Sequence, residues 1–176
     1  MLILQFLARL IAVLRSAATP AQIGGGVLVG MAIGLVPSFT MKVLLFILLI
    51  LLNVNIAIAL VSMLLFGLAA YLLDPLFHSV GYAVLVQAEF LRPLWSALYN
   101  IPFVPLTGYN NTVVMGSMVV SLLLLYPVYM GAKRGVVEYR EKVEPVASRW
   151  KIVQVIQRST LYDWIVRLSK MGDKLL

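Results

Sequence analysis

Long apolar runs, separated by short polar or proline-containing breaks, cover most of the first three quarters of the chain. The first run predicts a helix over residues 21–36, and a second over 41–52 follows the break at Pro37. Proline cannot donate the backbone hydrogen bond that continues a helix, so Pro37 predicts a helical hairpin. At about 1.5 Å per residue, both helices are shorter than a ~30 Å hydrocarbon core. The hairpin is therefore expected either to cross a thinned bilayer or to enter and return from one side.

The third apolar run, over residues 56–73, predicts a longer helix rich in small side chains. Asp74 and Pro75 follow it, and an acid before a proline is typical of a helix end. Residues 76–91 are apolar enough for a short in-plane or re-entrant helix. The aromatic and proline-rich residues 92–110 predict an ordered loop at the headgroup layer.

The last apolar run, over residues 112–132, is the clearest span, and Lys133 and Arg134 close it on a basic side. The two terminal segments are amphipathic. The first predicts a helix in the cytoplasmic interface, or alternatively an uncleaved span with snorkelling arginines. The chain thus divides into an interfacial amphipathic helix, a membrane domain and a basic cytoplasmic helical tail, over residues 1–18, 19–132 and 133–176.

Composition gives the class of protein. Of 176 residues, 62% are hydrophobic and 12% are charged, against about 45–50% and about 25% in soluble domains. Such a surface suits lipid and not water, which predicts an all-α integral membrane protein of about four short transmembrane helices. The chain has no cysteine and one histidine. Thiolate and multi-histidine metal sites are therefore excluded, and no metal or cofactor is expected.

The net charge of +7 is concentrated after residue 132, where ten basic residues accompany five acidic ones. A basic tail beside a span marks the cytoplasmic side, and the interleaved acids argue against nucleic-acid binding. If both termini are cytoplasmic, the number of crossings is even, and four runs are available. Lys42 and Asp74 then lie on the outer side, and Asn53 and Asn55 on the inner side.

Three glycines recur every four residues in the first run, at positions 26, 30 and 34. Residues four apart share one helix face, so Gly26, Gly30 and Gly34 form a bare groove that ends at Pro37. Such a groove predicts close packing with another helix, within the chain or in a dimer. The alternative is a surface that admits a lipid chain or a substrate.

Few polar residues lie within the membrane domain. Lys42 predicts an interfacial anchor or a contact with an anionic lipid headgroup. Asn53 and Asn55 predict helix caps or hydrogen bonds between helices. Asp74 and His78 are four apart and predict a helix-start acid with an interfacial imidazole, or a proton-linked pair. No nucleophile with a base, phosphate loop or metal-ligand cluster is recognisable, so an enzyme is not expected.

Several of these positions together resemble a widespread family of small bacterial inner-membrane proteins of unknown function. The family's pattern is a proline, G-x-x-x-G-x-x-P, a later asparagine and an Asn-Pro pair. The matching positions here are Pro20, Gly30, Gly34, Pro37, Asn53 or Asn55, Asp74-Pro75 and Gly81. Asp74 departs from the family's asparagine. The resemblance implies a bacterial cytoplasmic membrane and a link to envelope or glycolipid biogenesis, and it supplies no catalytic residues.

These observations lead to one functional expectation and one alternative. The first is a non-enzymatic inner-membrane subunit or anchor, bound to membrane lipids and to a larger envelope protein or to copies of itself, in lipid transport between membranes. The alternative is a small transporter or channel whose pathway uses the broken hairpin with Lys42, Asn53 and Asn55.

Overall fold

The computed structural model describes residues 18–143, which are helical apart from short connections and contain no strand. The predicted all-helical class is therefore confirmed for this part of the chain. Two π-helical turns, Ala83–Gln87 and Tyr139–Val143, follow the two longest helices, and two 3₁₀ turns, Glu89–Leu91 and Val104–Thr107, flank the shortest. The α-helices are α1 (Pro20–Leu35), α2 (Phe39–Leu51), α3 (Ile56–Tyr82), α4 (Arg92–Tyr99) and α5 (Thr112–Glu138).

The first two helices form the predicted hairpin around Pro37. A capping box opens α1: the Thr19 hydroxyl accepts from the backbone N–H of Gln22, whose side-chain oxygen accepts from the Thr19 N–H. Ser38 caps α2 by accepting from the Met41 N–H. The break is thus produced by a proline followed by a new N-cap.

The third helix is longer than predicted. The expected end at Asp74-Pro75, the span over 56–73 and the separate helix over 76–91 are wrong, because α3 runs from Ile56 to Tyr82 with Pro75 inside it. Asp74 therefore lies in the helix interior and not at a helix start.

Packing beyond Pro75 explains why α3 continues. A proline inside a helix costs about 3 kcal/mol. The following turn carries Phe77, whose side chain is fully buried, and Gly81, whose backbone touches α5. The Ser79 hydroxyl also donates to the Pro75 carbonyl over 2.9 Å. These contacts form only if the helix remains continuous.

The fifth helix begins as predicted, with Asn111 accepting from the N–H groups of Val113 and Val114. The helix itself continues past the predicted span and its basic pair, to Glu138. Val136 is buried in a cluster with the apolar residues that begin α1, so the last turns are held by packing. Residues 92–110, predicted as an ordered loop, contain the helix α4 and a 3₁₀ turn. The amphipathic helices predicted at both ends lie almost entirely outside the described residues.

The core of the described residues lies between α1, α3 and α5. Helices α1 and α3 run parallel, because Gly26 and Gly34 approach Asn55 and Met63 in the same order. Helix α5 is antiparallel to them, since Gly116 meets Phe77. Helix α2 returns along the edge of this core and buries Leu49 alone among its residues. The chain thus passes along the bundle four times, in alternating directions.

The Asn55 cap allows a first test of the fold. Asn55 is buried, and its side-chain oxygen accepts from the Ile58 N–H over 3.0 Å at the start of α3. Asn55→Ala should lower the free energy of unfolding in detergent by about 1–2 kcal/mol, since it removes a capping bond. Asn55→Ser keeps a capping oxygen and should lose distinctly less. Equal losses in the two variants would contradict a capping role.

Candidate functional site

The glycine face of α1 is covered by α3 of the same chain. A Cβ atom on Gly26 would lie 2.5 Å from the Asn55 carbonyl oxygen, and one on Gly34 would lie 2.6 Å from that of Met63. A Cβ on Gly30 would lie 2.7 Å from the Ser62 Cβ and would collide with the Ala59 carbonyl. Backbone-to-backbone contact of this kind requires glycine. The helix that the groove receives therefore belongs to this chain.

The two asparagines lie together at one end of the bundle, here called the Asn55 end. The Asn53 side-chain oxygen accepts from Gln22 Nε2 over 2.9 Å, which joins the start of α1 to the end of α2. Asn55 caps α3, and its backbone N–H donates to the Gln22 carbonyl over 3.1 Å. The two residues thus divide between them the capping and bridging roles predicted for both.

The opposite end, here called the Ser38 end, contains the turn between α1 and α2. Ser38 is nearly buried, and its hydroxyl donates to the Thr107 carbonyl. This bond ties the turn to the segment before α5. Pro37 is exposed beside it and lines an open cleft.

That cleft, of about 430 Å³, lies where α1 ends, α2 begins and the middle of α3 passes. It brings together four of the residues selected from the sequence, Gly34, Pro37, Lys42 and Asp74. Its remaining lining is apolar apart from the Tyr71 hydroxyl and consists of Ile33, Leu35, Met63, Leu64, Gly67, Leu68, Ala70 and Tyr71. This surface is the candidate functional site.

The cleft is apolar along its length and charged toward one end. Asp74 follows Gly67 by seven residues, or about 10 Å along the helix axis. Lys42 lies in the second turn of α2, close to the turn that contains Pro37 and Ser38. The charges therefore lie toward the Ser38 end, and the apolar floor extends toward the middle of the bundle.

The two charged side chains of the cleft do not stabilise the described fold through polar contacts. Within residues 18–143, Lys42 and Asp74 form neither an ion pair nor a side-chain hydrogen bond. By contrast, Arg92 and Glu89 pair at 3.2 Å on the exposed surface. Lys42 is half-buried and Asp74 is exposed, so both charges are accessible to a molecule entering the cleft.

The proton-linked pair of Asp74 and His78, the alternative interpretation of their spacing, does not occur in the described residues. His78 Nδ1 instead lies 2.7 Å from the Thr112 hydroxyl, at the start of α5. Among residues 18–143, no group of three His, Asp or Glu side chains could hold a metal ion. In the described residues the site offers one cation, one anion and an apolar surface.

Tyr71 and Gly67 belong to the cleft but carried no sequence signal of their own. Tyr71 is 80% exposed at the cleft. A Cβ added to Gly67 would make ordinary van der Waals contact with the Gly34 carbonyl oxygen at 3.8 Å, so this position accepts a Cβ without a clash. A helical wheel that put Gly67, Tyr71 and Asp74 on one face could have connected them.

Within residues 18–143, the fold and site define an all-helical protein with two stretches, Ile56–Gln87 and Thr112–Lys142, that are long and apolar enough to cross a membrane. Residues 5–144 match the family described as "Uncharacterized protein conserved in bacteria (DUF2062)". The chain belongs to this family, which confirms the resemblance drawn from Gly30, Gly34 and Pro37.

An uncharacterized protein of Treponema pallidum (strain Nichols) is similar to this chain. The two are 30% identical over 143 residues, which cover 81% of this chain and 88% of the relative. No solved structure matches the chain significantly.

Proposed function

We propose that this protein is a non-enzymatic, multi-pass subunit of the bacterial inner membrane that holds a phospholipid in the cleft beside Pro37. In this role it serves a larger envelope assembly that moves lipid between membranes. The observation that carries the proposal is the cleft itself. Two charged side chains without a partner among the described residues lie at one end of its apolar surface. Amphipathic clefts of this kind match the shape of a lipid, with its headgroup at the charged end.

Surface exposure supports the membrane part of the proposal. In the most apolar 18-residue segment of Ile56–Gln87, only 22% is buried. In the corresponding segment of Thr112–Lys142, 28% is buried. Helix α2 exposes most of its large apolar side chains, including Ile50 and Leu51 at 71% and 70%. An apolar surface of this extent is unfavourable in water and favourable in lipid. Acyl chains would cover α2 and reach the cleft from the side.

The depth of the charges supports the lipid part. Asp74 lies 18 residues after Ile56, or about 27 Å along α3, close to the ~30 Å thickness of a hydrocarbon core. If α3 begins at one face of the bilayer, Asp74 lies near the other face, where headgroups are found. The apolar floor of the cleft then lies at the depth of the acyl chains.

Filling the cleft tests the proposal. Gly67→Leu adds a side chain where a Cβ meets nothing closer than 3.8 Å, so the fold should tolerate it while the cleft loses volume. We expect the purified variant to retain at least several-fold less phospholipid in native mass spectrometry. Gly131→Leu is the matched control, because a Cβ at Gly131 meets no atom within 4 Å. Equal lipid retention by wild type, Gly67→Leu and Gly131→Leu would contradict the proposal.

A flux assay separates this role from that of a small transporter or channel. The transporter hypothesis used Lys42, Asn53 and Asn55 as one pathway, and the described structure has Lys42 at the cleft but both asparagines at the Asn55 end. This separation of Lys42 from the two asparagines favours binding in the cleft over a continuous path. Lipid or ion flux by the isolated protein in proteoliposomes would overturn the subunit role.

A further inference from the structure

We infer that the cleft selects phospholipids with a zwitterionic headgroup that carries a primary ammonium, such as phosphatidylethanolamine. Lys42 would bind the phosphate and Asp74 the ammonium. This inference rests on the proposed function, because it names the lipid class that the same cleft would hold. It depends on the presence of both signs of charge in one cleft, and not on either charge alone.

Within residues 18–143, both charged side chains of the cleft lack a polar partner. A charged group near the hydrocarbon region is unfavourable unless another charge or hydrogen-bonding group satisfies it. Lys42 and Asp74 line the same cleft, yet they do not pair with each other or with any other described residue. A ligand carrying one negative and one positive group satisfies both residues at once.

The chemistry of the headgroup decides between lipid classes. A lysine ammonium binds phosphate as a compact charge, and a carboxylate accepts charge-assisted hydrogen bonds from a primary ammonium. A choline headgroup has the positive charge but no N–H donor, so it gains only part of the interaction with Asp74. An anionic glycerol headgroup offers Lys42 the same phosphate but brings no positive charge to Asp74, so the negative charge of the lipid stays uncompensated beside the carboxylate, which opposes binding. The expected order is ethanolamine, then choline, then glycerol.

The remaining lining fits the rest of the molecule. Gly34 and Gly67 line the cleft without side chains, and Met63 and Leu68 provide apolar contact for an acyl chain. Tyr71 is largely exposed, and its ring suits the boundary between chain and headgroup. The order of these residues along α3, apolar before Asp74, sets the direction in which the lipid lies.

The test measures competition between three lipids for the full-length protein in detergent. After delipidation, equimolar palmitoyl-oleoyl phosphatidylethanolamine, phosphatidylcholine and phosphatidylglycerol are added, and the bound species are counted by native mass spectrometry. The wild type should prefer phosphatidylethanolamine to phosphatidylglycerol by about tenfold, the effect of one charge-assisted hydrogen bond. Asp74→Asn should remove this preference. Lys42→Gln should weaken all three lipids.

Glu89→Gln is the matched control for Asp74→Asn. It changes the net charge by the same amount at an exposed acid outside the cleft, so the lipid preference should remain. An unchanged preference in Asp74→Asn, or an equal loss in Glu89→Gln, would overturn the inference. Gly67→Leu distinguishes a failure of the proposed lipid binding from a failure of the headgroup inference. If Gly67→Leu abolishes lipid binding while Asp74→Asn leaves the preference intact, the lipid-binding cleft is supported and only the headgroup assignment is wrong.

Discussion

Gly116→Ala is expected to be one of the most damaging single-methyl substitutions in this protein. A Cβ at Gly116 would collide with the Phe77 carbonyl and lie 2.9 Å from the Phe77 Cα. Both groups belong to the backbone of α3, so they cannot move aside as the end of a flexible side chain would. Helices α3 and α5 would have to separate at their crossing. Overpacking of this kind costs about 1–3 kcal/mol and occasionally more, and backbone contact puts Gly116 at the upper end. Thermal unfolding in detergent should register the loss.

Gly131→Ala, in the same helix, is the control that isolates the crossing. A Cβ at Gly131 meets no atom within 4 Å, and alanine is favoured over glycine in helices by about 1 kcal/mol. This variant should therefore be as stable as wild type or slightly more stable. If Gly116→Ala unfolds at the same temperature as Gly131→Ala, the two helices do not approach each other as closely as described.

Local signals were sufficient to predict the hairpin from the sequence. Pro37 acts through the backbone within a few residues, so its effect does not depend on distant parts of the fold. The observed bounds of α1 and α2 differ from the predicted ones by at most two residues. The roles of Asn53 and Asn55 were also foreseen as a pair, because short polar side chains beside an apolar run have few other uses.

The course of α3 could not be predicted from local signals. Asp74-Pro75 has the composition of a helix end, and only the packing of Phe77 and Gly81 against α5 makes continuation favourable. This packing depends on residues more than thirty positions later in the chain. The same reason accounts for the end of α5, where buried Val136 outweighs the boundary that the basic pair at 133 and 134 indicated.

The candidate site was only partly accessible from the sequence. Counting four crossings predicted that Lys42 and Asp74 lie on one side of the membrane and the two asparagines on the other. In the described structure Lys42 and Asp74 line the cleft toward the Ser38 end of the bundle, and both asparagines lie at the Asn55 end. The cleft depends on tertiary packing that no residue spacing encodes: α2 lies along α1 and meets α3 where Leu49 and Ala59 join one buried cluster. The gap beside α3 then becomes the open surface that Gly67 and Tyr71 line.

The interpretation of the glycine face of α1 depends on what covers it. A groove at Gly26, Gly30 and Gly34 predicted docking of either a helix or a lipid, and α3 fills it in the described structure. A partner helix could use this face only by displacing α3. The surface available to lipid therefore begins where the groove ends, at Gly34 and Pro37, and not along the groove itself.

Gly30→Leu is the second substitution expected to have a large effect, and it acts through folding. The added side chain would meet the Ala59 carbonyl and the Ser62 Cβ, so α1 could not remain against α3. We expect a loss of more than about 3 kcal/mol, seen as failure to elute as a monodisperse species in size-exclusion chromatography. Any loss of partner binding in this variant would follow from misfolding and would not locate a docking surface.

Gly67→Leu is the variant to compare with Gly30→Leu. It adds the same side chain to α3, the helix that packs against α1. Its Cβ has 3.8 Å of clearance, so the variant should elute and unfold like wild type while losing lipid from the cleft. Gly30 and Gly67 would then separate two functions of glycine in one protein, close helix packing and an open ligand surface. A folded, monodisperse Gly30→Leu protein would instead mean that α1 does not pack against α3 at Gly30, and the groove would again be available to a partner.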